Sequence, residues 1–234
     1  MKVIFIVPCF NAEKNLDLLC KSLVDQKDQD WGCILIDDMS EDETASKIKS
    51  ICTSDRRFHG QINTSKKFAL RNIVETSRLF QKREDVIIAV IDGDDQLCNP
   101  MAVSLVKSEY ENGEKVVWTG HKWDINNLNI SKEMPVNVDP YAWPWCSSHL
   151  RTFSSDLLLE ISDRNFKDIY GEWFERGYDQ ALMLPVLSMT NRRKYIDEIC
   201  YQYNINSVSV SNRSWEEKKQ ISTISVVRAR GFLN

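Results

Sequence analysis

Apolar and polar positions follow two alternating periods along the first half of the chain. Val3–Val7 is a short unbroken apolar run ended by Pro8, the pattern of a buried strand. Leu16, Leu19, Leu23 and Val24 then recur at helical spacing as far as Gln26. Cys33–Ile36 reads as a second strand, closed by Asp37 and Asp38. Ser40 with Glu43 has the form of a capping box, and Ala45, Ile48 and Ile51 extend a helix from it. A third strand fits Phe58–Ile62, and a helix fits Lys66–Phe80, with Leu70, Ile73, Val74, Ser77 and Phe80 on one face. Val86–Ile91 is a continuous apolar run between charged residues, as expected of a parallel strand covered on both faces. Met101–Val106 begins another helix and Lys115–Thr119 another strand. This order predicts an α/β fold, an α/β/α sandwich with a mainly parallel central sheet.

The second half is patterned differently. Residues 124–147 read as a loop, with Pro135, Pro140 and Pro144 among the aromatics Tyr141, Trp143 and Trp145. A strand is expected at His149–Phe153, a short helix at Asp156–Ile161, a helix containing Pro185 at Asp179–Leu187, and a late strand at Glu198–Tyr203, where Ile199, Tyr201 and Tyr203 alternate. No repeat or flexible linker divides the chain, so one domain of two unlike halves, 1–110 and 111–234, is expected.

Composition narrows the function. The 234 residues carry 34 acidic and 30 basic side chains, a formal charge of −4, and no long basic run, which speaks against a nucleic-acid partner. No apolar stretch reaches the roughly 20 residues that span a bilayer, and the apolar start is too short for a signal peptide. The seven cysteines contain no CxxC pair, so reduced, mostly buried thiols in a cytoplasmic chain are expected.

The chemistry concentrates in Asp92-Gly93-Asp94-Asp95, directly after the most apolar strand. Ligands of open α/β sheets bind outside the carboxyl ends of the strands. Three carboxylates within four residues repel one another unless a cation or a set of donors neutralises them, and a hydrated divalent ion bridging to phosphates suits such a cluster. A solvated acidic turn is the plainer alternative. Asp37-Asp38, past another strand end, is expected at the same edge, where a carboxylate accepts from a ribose or a base or else caps a helix.

Four segments together resemble the family 2 glycosyltransferases of the GT-A fold: Ile6-Val7-Pro8-Cys9-Phe10-Asn11-Ala12-Glu13, Ile34-Leu35-Ile36-Asp37-Asp38, Leu70-Arg71-Asn72 and Val90-Ile91-Asp92-Gly93-Asp94-Asp95. The resemblance spans about residues 2–110, which would form the nucleotide-sugar half and leave 111–234 as the acceptor half. It implies an inverting transferase that uses a nucleoside-diphosphate sugar, with UDP as the expected carrier, together with Mn2+ or Mg2+ and a saccharide or glycan acceptor. It further implies that the backbone near Pro8 and Asn11 frames the base and that Asp38 holds the uracil edge or ribose. Asp92 and Asp94 would fill the DxD motif, with Asp94 or Asp95 as direct metal ligand and Arg71 in the Arg-Asn pair.

The chain departs from the family in two places. Lys66 and Lys67 stand near an expected glycine, either supplying charge for the diphosphate or forming a solvated pair. Tyr178-Asp179 stands where the family often has Glu-Asp or a lone Asp, making Asp179 the expected general base, with Glu172 and Glu175 as fallbacks. His149 and Trp145 are further donor-side candidates; a satisfied structural histidine and ordinary aromatic packing are their plainer readings.

Competing classes fit less well. A phosphotransferase using Asp92 lacks the expected hydroxyl after its acidic pair, and a nucleotidyltransferase lacks a glycine-rich first loop. A polymerase palm needs a longer chain and a basic channel. A decayed nucleotide- or carbohydrate-binding module would not be expected to keep all these carboxylates. The C-terminal Arg228-Ala229-Arg230-Gly231-Phe232-Leu233 reads as a frayed basic tail, with peripheral membrane contact as the alternative.

Overall fold

The computed structural model describes residues 1–205 and 214–234. Eight strands form one sheet in the order β3-β2-β1-β4-β7-β6-β8-β5. They are β1 (Lys2–Cys9), β2 (Trp31–Asp37), β3 (Phe58–Ile62), β4 (Val86–Val90), β5 (Gln96–Leu97), β6 (Val116–Trp123), β7 (Arg151–Ser154) and β8 (Arg193–Tyr203). The helices are α1 (Leu16–Val24), α2 (Thr44–Ser54), α3 (Phe68–Ser77), α4 (Ala102–Glu111), α5 (Tyr178–Ser188) and α6 (Ser214–Arg230). β1 pairs in parallel with β2 and β4, and β2 with β3. β7 inserts antiparallel between β4 and β6.

The apolar runs are continuous because both sheet faces are covered. Val3, Phe5 and Val7 enter one core layer with Leu19, Leu35 and Ile48. Ile4 and Ile6 enter the other with Leu70, Ile73 and Leu184. One strand thus feeds two cores, which leaves no polar face to alternate with.

Several boundaries differ from the sequence pattern for local reasons. The helix expected from Lys66 begins at Phe68 and passes into a 3-10 turn at Arg78–Phe80. Its start is set by Asp38, whose carboxylate accepts from the Lys67 and Phe68 N–H groups. Ser40 does not cap α2: its hydroxyl accepts from Asn11 N–H, while Asp42 accepts from Thr44 N–H. The late strand starts at Arg193, five residues before the expected Glu198, because the β6–β8 register shifts around Gly120. Thr119 pairs with Ile196 and Gly120 with Ile199, so regular alternation is visible only past the irregularity. A Cβ on Gly120 would lie 2.9 Å from the Glu198 carbonyl oxygen, which explains the glycine.

The C-terminal segment is a helix, not a frayed tail, and its arginines face the protein. Arg228 donates to the Tyr141 and Trp143 carbonyls and to Gln180, and Arg230 to the Lys167 and Asn165 carbonyls. Leu233 exchanges hydrogen bonds with Asn165. Among the described residues no helix is long and apolar enough to cross a membrane.

Candidate functional site

Parallel strands end together, so whatever follows β1, β2 and β4 meets at one edge. Cys9 lies in register with Asp37, and Ile6 with Val90. The turn Asp92–Asp95 leaves β4 directly beside the end of β1. A Cβ on Gly93 would stand 2.9 Å from the Pro8 carbonyl oxygen and 3.1 Å from Cys9 Cα, so only glycine lets the acidic turn approach this closely. Three non-glycine residues with left-handed backbone, Asn11, Met39 and Phe68, lie after β1, after β2 and at the first position of α3, around Asp38. Strain of this kind persists where the surroundings over-determine it, often at ligand sites.

Asp38 is buried at the floor of this rim. Its carboxylate accepts from Asn63 Nδ2 at 2.9 Å, Lys67 N–H at 2.8 Å and Phe68 N–H at 2.9 Å, with Lys66 Nζ at 3.6 Å. Burial pushes its pKa up, but these donors outweigh that and hold it below the ordinary carboxylate range. Asp38 therefore fixes the start of α3. Lys66 bridges from the Asp38 carbonyl to the face of Phe10, with Nζ 2.9 Å from the ring centroid. Asn11 bridges to the loop after β2 through Glu41 N–H. Arg71 pairs with Glu75 at 2.7 Å on the surface of α3. Trp145 is half-buried against the second core layer.

The acidic turn is more densely wired. Asp95 is 1% exposed and accepts from Tyr201 Oη at 2.7 Å and Asn204 N–H at 2.8 Å. Burial, then the charges of Asp92 and Asp94, push its carboxyl well above the ordinary range. The Asp94 main-chain oxygen accepts from Asn15 and Asn204 side chains. Asp92 accepts from the Tyr178 hydroxyl at Oδ1 and from Arg151 Nη2 at Oδ2, 3.4 Å away. Asp179, beside Tyr178 in the first turn of α5, is half-buried, and desolvation raises its pKa despite Arg151.

His149 completes the edge. Its ring stacks on Tyr201 at 4.5 Å and on Tyr203 at 5.4 Å, and meets His121 edge-on at 5.2 Å. Burial and Arg151 lower its pKa well below the usual value, leaving a neutral imidazole. Its Nδ1 is buried and has no hydrogen-bond partner among the described residues. One ligand atom each from Asp92, Asp95 and His149 lies within 4.8 Å of the others, a donor set of two carboxylates and a neutral imidazole suited to a divalent cation. Asp94 stands outside this trio. The structure thus gathers Asp92, His149 and Asp179 around Arg151, with Asp95 close to Asp92 and His149, while Asp38, Lys66 and Asn11 form the neighbouring rim. Arg71 and Trp145 make surface and packing contacts.

Sequence reasoning missed Arg151, Tyr201 and His121. An arginine inside the apolar strand pattern Leu150-Arg151-Thr152-Phe153 was a usable signal, since a buried charge demands a partner. Arg151 is 1% exposed, and its register opposite Val90 supplies that partner in Asp92.

A sheet with helices on both faces and an acidic turn at the end of its central strand defines an α/β protein with a candidate site at the sheet edge. Residues 4–161 match the family described as glycosyl transferase family 2. The chain belongs to that family and is a glycosyltransferase. Its fold is the GT-A fold of solved structures that it resembles at low identity. S. aureus TarS 1–349 in complex with UDP-GlcNAc aligns with a TM-score of 0.72 at 18% identity, over 100% of this chain and 68% of that one. The mannosyltransferase PcManGT from Pyrobaculum calidifontis, in complex with GDP-Man and Mn2+, aligns with a TM-score of 0.65 at 15% identity, over 98% of this chain and 63% of that one. No curated protein matches the sequence.

Proposed function

We propose that this glycosyltransferase moves a sugar from a nucleoside-diphosphate donor, UDP-linked by preference, to a hydroxyl of a saccharide or glycan acceptor, with inversion at the anomeric carbon. The observation that carries this reading is the contact between the base-bearing helix and the acidic turn: Tyr178 reaches Asp92, which brings Asp179 to the edge where the donor would lie. Asp179 acts as general base and takes the acceptor hydroxyl's proton. The acceptor oxygen bonds to the anomeric carbon as the bond from that carbon to the diphosphate oxygen breaks, and the nucleoside diphosphate leaves. A carboxyl raised by burial holds a proton better than a solvated one, which suits this role.

The rim formed by Pro8, Asn11, Asp38 and Lys66 would hold the nucleotide, with Lys66 supplying charge toward the diphosphate. Asp92, Asp95 and His149 fit a divalent cation, Mn2+ or Mg2+, with Asp94 beside them as a further contact to donor or metal. When bound, such an ion offsets negative charge on the leaving diphosphate. TarS is seen with UDP-GlcNAc and PcManGT with GDP-Man and Mn2+, which supports a nucleotide-sugar donor and a divalent ion here.

The test pairs binding with turnover. UDP or GDP is expected to raise the melting temperature when Mn2+ or Mg2+ is present and not in EDTA, since a ligand of the native state stabilises it. Asp179→Asn is expected to keep that shift and lose transfer by about 100-fold or more. No shift with either nucleotide would sink the donor assignment, and wild-type transfer by Asp179→Asn would sink the base.

A further inference from the structure

Tyr178 occupies a position where the family resemblance often places a glutamate before the Asp, and the structure gives it a contact that an ionised glutamate could not make. Its hydroxyl donates to Asp92 Oδ1 and accepts from Arg151 Nη2 at 2.8 Å. The Arg151 guanidinium lies 5.0 Å from the Tyr178 ring centroid and reaches Asp92 Oδ2 with the same Nη2. Three groups from three elements therefore close on one another: the turn after β4, strand β7 and the first residue of α5. An ionised carboxylate at position 178 would repel Asp92 and could not donate to it. A phenol supplies the donor without bringing a fourth carboxyl group to a turn that already has three.

The backbone leading into α5 is held from the other side. Gly177 has φ +66°, and a Cβ there would lie 3.2 Å from the Gln220 carbonyl oxygen and 3.2 Å from Ile224 on α6. The first turn of α5 is thus wedged by α6 behind and tied by Tyr178 in front. Arg151, held in register opposite Val90 of β4, keeps that tie aligned with the acidic turn.

We propose that Tyr178 is a positioning residue. Its hydroxyl fixes the separation between Asp92 on the donor side and Asp179, the adjacent residue of α5, on the acceptor side. The inference rests on Asp179 being the base. Tyr178 touches neither acceptor nor sugar in this role; it acts through Asp179, and displacements of the order of 1 Å at a reacting group can cost about 100-fold in rate.

A double-mutant cycle of Tyr178→Phe and Asp179→Asn in the full chain tests this, reading kcat for transfer, affinity for UDP with Mn2+, and the melting temperature. Phenylalanine keeps the ring and removes only the hydroxyl. Tyr178→Phe is expected to lower kcat about 10-fold or more while changing UDP affinity by less than about threefold. In the Asp179→Asn background the same change is expected to cost less than about twofold, because the group through which it acts is gone. Replacing Tyr178 with p-aminophenylalanine, which keeps an N–H donor at the same point, is expected to restore most of the rate. A Tyr178→Phe rate within about twofold of wild type overturns the inference, as does an equal loss in both backgrounds or a variant that fails to fold, since the hydroxyl would then serve stability alone. Wild-type transfer by Asp179→Asn instead overturns the base assignment, so the two failures are distinguishable.

Discussion

Asp38 shows how one legible side chain meets, in the fold, one of the two roles its sequence position offers. Its place after an apolar strand reads as a ribose or base contact or a helix cap, and the structure commits its carboxylate to the start of α3. Four donors from three residue types converge on a group that is 3% exposed. Asp38→Asn keeps the shape but turns an N–H toward an N–H at one of these contacts, and an unmade buried hydrogen bond costs about 1–3 kcal/mol. The variant is expected to unfold at lower urea concentration by that amount at pH 7. The folded carboxyl lies below its unfolded value of about 3.9, so its contribution is full above that pH and is lost as pH falls through the folded value. The gap between wild type and variant should therefore narrow on acidification below about pH 4. Equal urea midpoints at pH 7 would show that the carboxylate is not what anchors α3.

At the scale of elements, the parallel half was readable because each strand there feeds two covered faces and each helix carries one apolar stripe. Val86, Ile88 and Val90 enter one core layer while Ile87 and Ala89 enter the other, which leaves an unbroken apolar run in the sequence. The acidic turn was legible for the same reason: three carboxylates after such a run have nowhere to be except the sheet edge. Long-range pairings were not. Arg151 looks like any strand residue until β7 is laid beside β4, and Tyr201 gains its role from Asp92 and Asp95, 109 and 106 positions away, and from His149. α6 lacks an apolar stripe because the residues it buries are chiefly Val227, Thr223 and Glu216, and it holds its place through polar contacts. Arg228 is one of these, joining α6 to α5 through Gln180 and to the proline-rich loop through two carbonyls. Hydrogen bonds from a charged donor contribute about 1.5–3 kcal/mol each at best. Arg228→Ala is expected to destabilise the protein by about 2 kcal/mol in urea unfolding, and an unchanged midpoint would return this helix to the status of a loosely attached tail.

For the molecule as a whole, stability has to come from the two core layers flanking the sheet, because all seven cysteines are free. Cys9, Cys20 and Cys33 pack in one layer and Cys146 in the other, as small apolar side chains. Burial pushes Cys146 up to about 11 and Cys20 and Cys200 up to about 12, so few of these groups are thiolates at neutral pH, and the thiolate is the reactive species. Only Cys52 and Cys98 reach the surface in part, and burial raises both of these as well. A colorimetric thiol reagent at pH 8 is therefore expected to label at most two cysteines of the native protein quickly, and all seven once denaturant opens the layers. The melting temperature should be the same with and without a reductant, since no cross-link constrains the unfolded chain. Rapid labelling of three or more thiols in the native protein would mean that the layers open easily. The donor edge, whose turn is pressed against Cys9 and Pro8, would then lose the rigid floor on which the proposed chemistry depends.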